Sequence, residues 1–350
     1  MFIGSISRKR YLPGLQSMSV VDKRSGLPDA FGMNTTRKAE NYPELRIVLA
    51  GVEMVTPILT ASGTCGYGKE YADVIDYRRL GGFTTKSVTL QPRPGNDPQR
   101  VVEVRSGLLN AIGLANVGLE RFIAEKLPYI REMPTKVFVN VAGHCMNDYV
   151  RVAADVCEHD CIAGIELNVS CPNVSDGLTF GTNATLLRQL VEAVRKAMPR
   201  GVLIVKLSPN VTDITETARA AIDGGAQALS MINTYVGMGI DVKTWKPALG
   251  NVTGGLSGPA IRPLAVYNVH RVYRTVAQQQ GIPIIGMGGI QSARDAVEFF
   301  LAGASAIAIG TALFLDPTIP MKIADGLSTY LQTRGLKHVS ELTGKLILPT

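Results

Sequence analysis

The stretch from Glu166 to Val174 reads ELNVSCPNV, a run of strand character that ends in a thiol, Cys171. An asparagine lies three residues before that thiol and another two after it. Proline follows at once, which ends the strand and aims the sulfur beyond the strand's end. The flanking Asn168 and Asn173 hydrogen-bond without titrating. The combination points to one proton-transfer group in a pocket for a polar, flat ligand. Taken alone, Cys171 can be a structural thiol, a nucleophile or a base. No histidine stands in a motif beside it (His144 lies nearest a strand end), so a nucleophile activated by histidine is poorly supported. A thiol with a reference pKa of about 8.5 serves as a base when the substrate acidifies the proton it takes. Asn110, Asn168, Asn173 and Asn233 offer matched donor and acceptor pairs for a cyclic amide or imide, although any one of them can be a turn residue.

The elements that must position these groups are legible as alternating patterns. Short β-branched runs at Pro57–Ser62, Gly82–Ser87, Val137–Gly143, Gly164–Ser170, Leu203–Ser208, Ala228–Thr234, Pro283–Gly289 and Ala306–Ala312 predict eight strands. Amphipathic stretches at Asn183–Met198, Ile214–Gly224, Pro259–Gln280 and Ser292–Ala302 predict helices between them. Near-continuous apolar strands alternating with helices imply an α/β fold, a (β/α)8 TIM barrel buried on both faces. LRIVLAGVEM, before the first strand, reads as an N-terminal β-hairpin that caps the barrel floor. Two long inserted loops, Val88–Thr135 and the segment after the sixth strand, are expected at the C-terminal mouth.

In such a barrel the chemistry sits at the C-terminal ends of the strands. Those ends carry Ser62, Lys86, Asn140, Asn168 with Cys171, Lys206, Asn233 with Thr234, the glycines of GMGG, and Gly310 with Thr311. Glycine-rich turns after the last two strands suit either tight packing or a phosphate, which backbone N–H groups can approach closely. A lysine at an apolar strand end is costly unless it meets an anion. Lys206 can therefore form a Schiff base or neutralise charge on a ring, and Lys86 can clamp a carboxylate or phosphate.

Composition narrows the class. The chain has 350 residues, of which 46% are hydrophobic and 19% charged, as expected of a buried globular core. Its net charge of +7 is concentrated in the first 40 residues, where Arg8, Lys9, Arg10, Lys23, Arg24, Arg37 and Lys38 face only Asp22, Asp29 and Glu40. Residues 1–42 read as a basic, flexible extension, and residues 43–350 as a single barrel domain. No basic stripe interleaved with aromatics suggests nucleic acid. No run suggests a membrane span or a signal segment, so a cytoplasmic location is expected. Five cysteines without C-x-x-C spacing imply reduced thiols and no metal site, with Cys157 and Cys161 marking a helix end.

The blocks ASGTCGYGKEY, TTKSVTLQPRPGN, LLNAIGLANVG, NVAG, ELNVSCPNV, VKLSPNVTDI, MINTYVGM, TGGLSGPAI, IIGMGGI and GASAIAIGTALF occur in order over about residues 45 to 330. On these the chain resembles the class 1 dihydroorotate dehydrogenases, and most closely the class 1B catalytic subunits. The resemblance implies oxidation of (S)-dihydroorotate to orotate in de novo pyrimidine (UMP) biosynthesis, with one FMN per chain. It implies that Cys171 takes the C5 proton while hydride leaves C6 for FMN. By the same resemblance Lys86, Asn110, Ala111, Ile112, Gly113, Leu114, Asn168, Asn173, Asn233 and Thr234 bind the substrate. Ser62, Lys86, Ser87, Asn140, Asn168, Lys206, Ile232, Gly258, Gly288, Gly289, Gly310 and Thr311 bind FMN, with Lys206 near the N1–O2 edge of the flavin.

Class 1B further implies a homodimer joined in a heterotetramer to a subunit carrying FAD and a 2Fe–2S cluster, through which electrons reach NAD. The absence of a G-x-G-x-x-G strand–helix unit agrees with NAD being bound elsewhere. Other readings stay open at this level. They are fumarate-dependent oxidation of the class 1A kind, a dihydropyrimidine dehydrogenase, and a barrel lyase that uses Lys206 as a Schiff base. The membrane-bound quinone class has serine in place of Cys171, and the CPNVSDG of this chain departs from the CPNVPGK usual in class 1A.

Overall fold

The computed structural model describes residues 44–170 and 180–349. The expected basic extension, Cys171 and Asn173 lie outside the described residues. A short antiparallel hairpin, β1 (Ile47–Leu49) and β2 (Val52–Met54), precedes the first barrel strand, β3 (Ile58–Thr60). After β4 (Gly82–Thr84) come two inserted strands, β5 (Val101–Val104) and β6 (Gly107–Asn110). The barrel continues with β7 (Lys136–Val141), β8 (Ile162–Asn168), β9 (Val202–Lys206) and β10 (Ala228–Met231). A second insertion holds β11 (Tyr235–Met238), β12 (Ile240–Asp241), β13 (Lys246–Pro247) and β14 (Thr253–Ser257), and β15 (Ile284–Met287) and β16 (Ala306–Ile309) follow. Strands β3, β4, β7, β8, β9, β10, β15 and β16 close in that order into a parallel barrel. All eight expected strands are present, and the hairpin stands where the sequence placed it.

Alternation along each strand divides the core into two parts. Val137, Val139, Ile165, Leu167, Leu203, Val205, Leu229, Ile284 and Ile307 belong to a large buried cluster shared with helices such as Met146–Cys157 and Ala184–Ala197. The other parity points into the barrel. There Leu59, Phe138, Val202, Ile204, Ala228, Ile285 and Ala306 form a separate apolar cluster with Leu49 and Met54 of the hairpin. The hairpin thus plugs the floor, and the lower interior is dry. One step higher the same inward parity becomes polar, with Asn140, Glu166, Lys206 and Ser230 all buried.

Two features differ from the sequence expectation. The inserted segments do not stand as separate loops but share one antiparallel sheet of order β11-β14-β6-β5. Such pairing between segments more than a hundred residues apart leaves no local periodic signal. The stretch Pro259–Gln280 is a 3-10 turn, the helix Arg262–Val272, a π turn and a final α turn in succession, rather than one regular helix. Among the described residues, no helix is long and apolar enough to cross a membrane.

Candidate active site

Strand register brings the mouth's polar groups side by side. Asn140 on β7 is the register partner of Glu166 on β8, Asn168 is the partner of Lys206 on β9, and Lys206 is the partner of Ser230 on β10. Glu166 is only 3% exposed, and its carboxylate is fully engaged. Oε1 accepts from Asn140 Nδ2 at 2.7 Å and lies 3.7 Å from Lys206 Nζ, while Oε2 accepts from Ser230 Oγ at 2.8 Å. Lys206 Nζ donates to Ser62 Oγ at 3.0 Å, and Ser87 Oγ donates to Asn140 Oδ1. Ser62, Lys206, Glu166, Asn140 and Ser87 therefore form one continuous hydrogen-bonded and ionic row across five strand ends. An unpaired carboxylate or ammonium could not persist above a dry barrel floor, whereas each of these charges has its counter-ion and hydrogen bonds.

A second string of contacts runs from the tip of β8 to the inserted sheet. Asn233 Nδ2 donates to Asn168 Oδ1 at 3.4 Å, and Asn233 Oδ1 accepts from the Thr234 backbone N–H at 2.8 Å. Gly255 on β14 approaches Thr234 so closely that a Cβ there would lie 2.1 Å from Thr234 Oγ1. The Gly255 carbonyl in turn accepts from Asn110 Nδ2 at 3.1 Å. Ala111 to Leu114 continue from Asn110 into a turn in which Gly113 has φ +72° and Leu114 has φ +56°. A leucine in the left-handed region is strained, and that conformation persists only where the surroundings impose it. Here Asn96 Nδ2 donates to Ala111 O at 3.1 Å, and Asn116 Nδ2 donates to Leu114 O at 2.8 Å, so two amides clasp the turn.

Lys86 follows β4 and is half-buried. Burial pulls its ammonium below the ordinary lysine range; nearby Glu70 acts in the opposite sense, and Arg100 adds to the lowering. It makes no ion pair with any described residue of the barrel. On the far side of the mouth, Gly288 and Gly289 follow β15, and Gly310 and Thr311 follow β16. Gly289 has φ +76°, and a Cβ there would lie 2.7 Å from Gly258 O, so backbone meets backbone with no room for a side chain. Thr311 Oγ1 donates to Ser257 Oγ at 2.8 Å, tying the last strand's turn to β14. Ile232 is buried just past the end of β10.

The mouth thus offers bare glycine backbone on one side, suited to phosphate oxygens. On the other it offers a row of hydroxyls, an amide and a lysine, suited to the polar edge of a ring. That donor set fits a phosphorylated planar cofactor. The amide string from Asn168 to Asn110 and the ammonium of Lys86, which pairs with no acid among the described residues, suit a second, anionic ligand.

Glu166 is the residue that the list of strand ends missed. It precedes Asn168 by two positions and so shares its inward face, a signal the period of a strand does supply. Ser230 was missed in the same way. Lys206, costly at an apolar strand end without an anion, stands 3.7 Å from a carboxylate of the chain itself, a partner the sequence expectation did not name.

A parallel (β/α)8 barrel with a polar row at its mouth and glycine turns after its last two strands is an architecture with which barrel enzymes bind phosphorylated ligands. Comparison with known proteins makes this specific. The family model described as dihydroorotate dehydrogenase matches residues 44–331, and the chain belongs to that family. A protein of Pelobacter propionicus, named dihydroorotate dehydrogenase B (NAD(+)), catalytic subunit, is 50% identical over 305 residues, which cover 87% of this chain and 99% of that protein. The equally named protein of Bacteroides thetaiotaomicron is 48% identical over 304 residues, again covering 87% and 99%. The crystal structure of a dihydroorotate dehydrogenase from Eimeria tenella in complex with ferulenol superposes with a TM-score of 0.74 at 22% identity, covering 90% of this chain and 92% of that one. At that identity the likeness is one of fold.

Proposed function

We propose that this chain is the catalytic subunit of an NAD-linked dihydroorotate dehydrogenase, oxidising (S)-dihydroorotate to orotate in de novo pyrimidine biosynthesis. The observation that carries the reading is the near-complete coverage, at about half identity, of relatives bearing that name. The polar mouth supports it, because its amides and its unpaired lysine match the ring and carboxylate of such a substrate.

FMN supplies the acceptor for the C6 hydride and the route by which electrons leave. Ser62, Ser87, Asn140 and Lys206 would hold the ring's polar edge, with Ile232 against it and Gly258, Gly288, Gly289, Gly310 and Thr311 around the phosphate. Lys86 would meet the substrate carboxylate. Asn110 to Leu114, Asn168, Asn173, Asn233 and Thr234 would bind its amide edges and set the ring flat. Cys171 would take the C5 proton, so that the C5–H bond breaks to sulfur as the C5=C6 bond forms and hydride departs from C6. Electrons would pass to NAD on a separate subunit carrying FAD and a 2Fe–2S cluster. The relatives' designation as catalytic subunits supports such a partner. A homodimer within a heterotetramer, and a cytoplasmic location, complete the proposal.

Substituting Cys171→Ala tests the assignment. Removing a general base lowers rates by about 10²- to 10⁴-fold. The variant is expected to retain FMN while its reduction by dihydroorotate slows on that scale in anaerobic stopped flow. Near-normal reduction would remove Cys171 from the mechanism.

A further inference from the structure

Glu166 belongs to none of the groups assigned above to substrate or cofactor, yet it contacts two of the assigned residues directly. It lies two residues to the floor side of Asn168, is 3% exposed, and rests on the apolar interior formed by Phe138, Ile204 and their neighbours. From there it is almost wholly shielded from solvent. Its influence on a ligand must pass through what it holds.

We propose that Glu166 is the positioning residue and counter-charge of the cofactor-facing row, a reading that rests on FMN being the group bound there. Two physical arguments carry it. The first concerns polarity. A carboxylate only accepts, so Asn140 must present its Nδ2 to Glu166 and its Oδ1 to Ser87, and the Ser87 proton is then committed to that amide. The lone pairs of Ser87 are left to accept. Ser62, which accepts from Lys206, keeps its own proton free to donate. Glu166 thus fixes the direction of the bonds from Asn140 and Ser87, and Lys206 fixes that of the bond to Ser62.

The second argument concerns charge. Lys206 Nζ stands 3.7 Å from Glu166 Oε1, with both side chains almost wholly buried. At such depth a unit charge is weakly screened. The pair together is close to neutral, whereas either member alone would bias the potential of any ring above it. An isolated positive charge favours an electron-rich ring, and an isolated negative charge opposes it. Glu166 therefore offsets Lys206 and sets how far the site favours reduction.

The test uses three variants of the full chain: Glu166→Gln, Lys206→Met, and the two combined. With FMN bound, the midpoint potential is expected to rise in Glu166→Gln and to fall in Lys206→Met. It should return close to the wild-type value in the double variant. Shifts of the same sign in the two singles, or a double variant displaced as far as either single, would overturn the proposal. A residue that merely supported the fold would not produce opposite signs that cancel.

Melting of the flavin-free chains gives a second readout. Removing one member of a buried pair is destabilising, whereas replacing both by neutral groups is often tolerated. Both singles should melt below the wild type, and the double above the less stable single. Should a single variant fail to fold, recovery of a folded double supports the proposal, and failure of the double as well contradicts it. Because melting needs no flavin, a variant set that obeys the melting pattern while the wild-type chain binds no FMN would refute the flavin reading and confine Glu166 to its role within the row.

Discussion

Lys206 and Lys86 both stand at the C-terminal ends of barrel strands, and their surroundings differ in kind. Lys206 is 6% exposed, hydrogen-bonded to Ser62 and paired with Glu166 in a row that includes Asn140, Ser87 and Ser230. Lys86 is half-buried, forms no ion pair with a described residue, and has its ammonium pulled below the ordinary lysine range by burial. One cation is paired within the protein, and the other has no ion-pair partner among the described residues. A half-buried ammonium keeps part of its hydration and stays open to a ligand. That is why Lys86 suits the carboxylate of an anionic substrate and Lys206 suits a cofactor that stays in place.

The comparison predicts opposite phenotypes. Lys86→Met is expected to lower kcat/KM for dihydroorotate by about 30- to 5,000-fold, the scale of losing a charged contact of about 2–5 kcal/mol at a ligand. The loss should fall mainly on KM, with the unfolding midpoint almost unmoved. Steady-state kinetics beside a thermal melt checks both parts, and a large loss of stability with unchanged KM would reverse the assignment of the two lysines. Lys206→Met should do the contrary. It leaves Glu166 as a buried, unpaired carboxylate, at a cost of about 3–5 kcal/mol of stability, measurable by denaturant unfolding.

A smaller effect sharpens the same contrast through pH. Because burial depresses the Lys86 ammonium, its charge is lost on alkalinisation earlier than that of a free lysine. Affinity for an anionic substrate should therefore decline as pH rises toward the lysine range. Lys86→Arg stays charged throughout and should flatten that decline, even if its overall affinity is lower. A wild-type KM that stays constant through the alkaline range would argue that Lys86 does not meet the substrate.

Much of this architecture was legible before any coordinates. The eight strands read as short apolar runs between turn residues and helical patterns, and the hairpin and the helices Ala184–Ala197, Ile214–Asp223 and Ala293–Ala302 follow from the sequence in the same way. The glycines of GMGG could be placed because a turn without side chains is a local property. Glu166 and Ser230 escaped because the reading stopped at strand ends, whereas the functional layer of a barrel extends one inward step toward the floor. The shared sheet of the two insertions was not legible either. It depends on Gly255 meeting Thr234 and Asn110, contacts between distant segments that no window of sequence contains. The clasp of Asn96 and Asn116 on the turn from Ala111 to Leu114 is of the same kind.

The most direct measurement is the visible spectrum of the purified chain before and after one equivalent of dihydroorotate in the absence of oxygen. A yellow protein whose flavin bands bleach on mixing, and return when NAD is supplied together with the electron-transfer subunit, is the outcome expected here. A colourless preparation that borohydride traps covalently with a phosphorylated carbonyl substrate at Lys206 would contradict it, and would make the barrel a lyase.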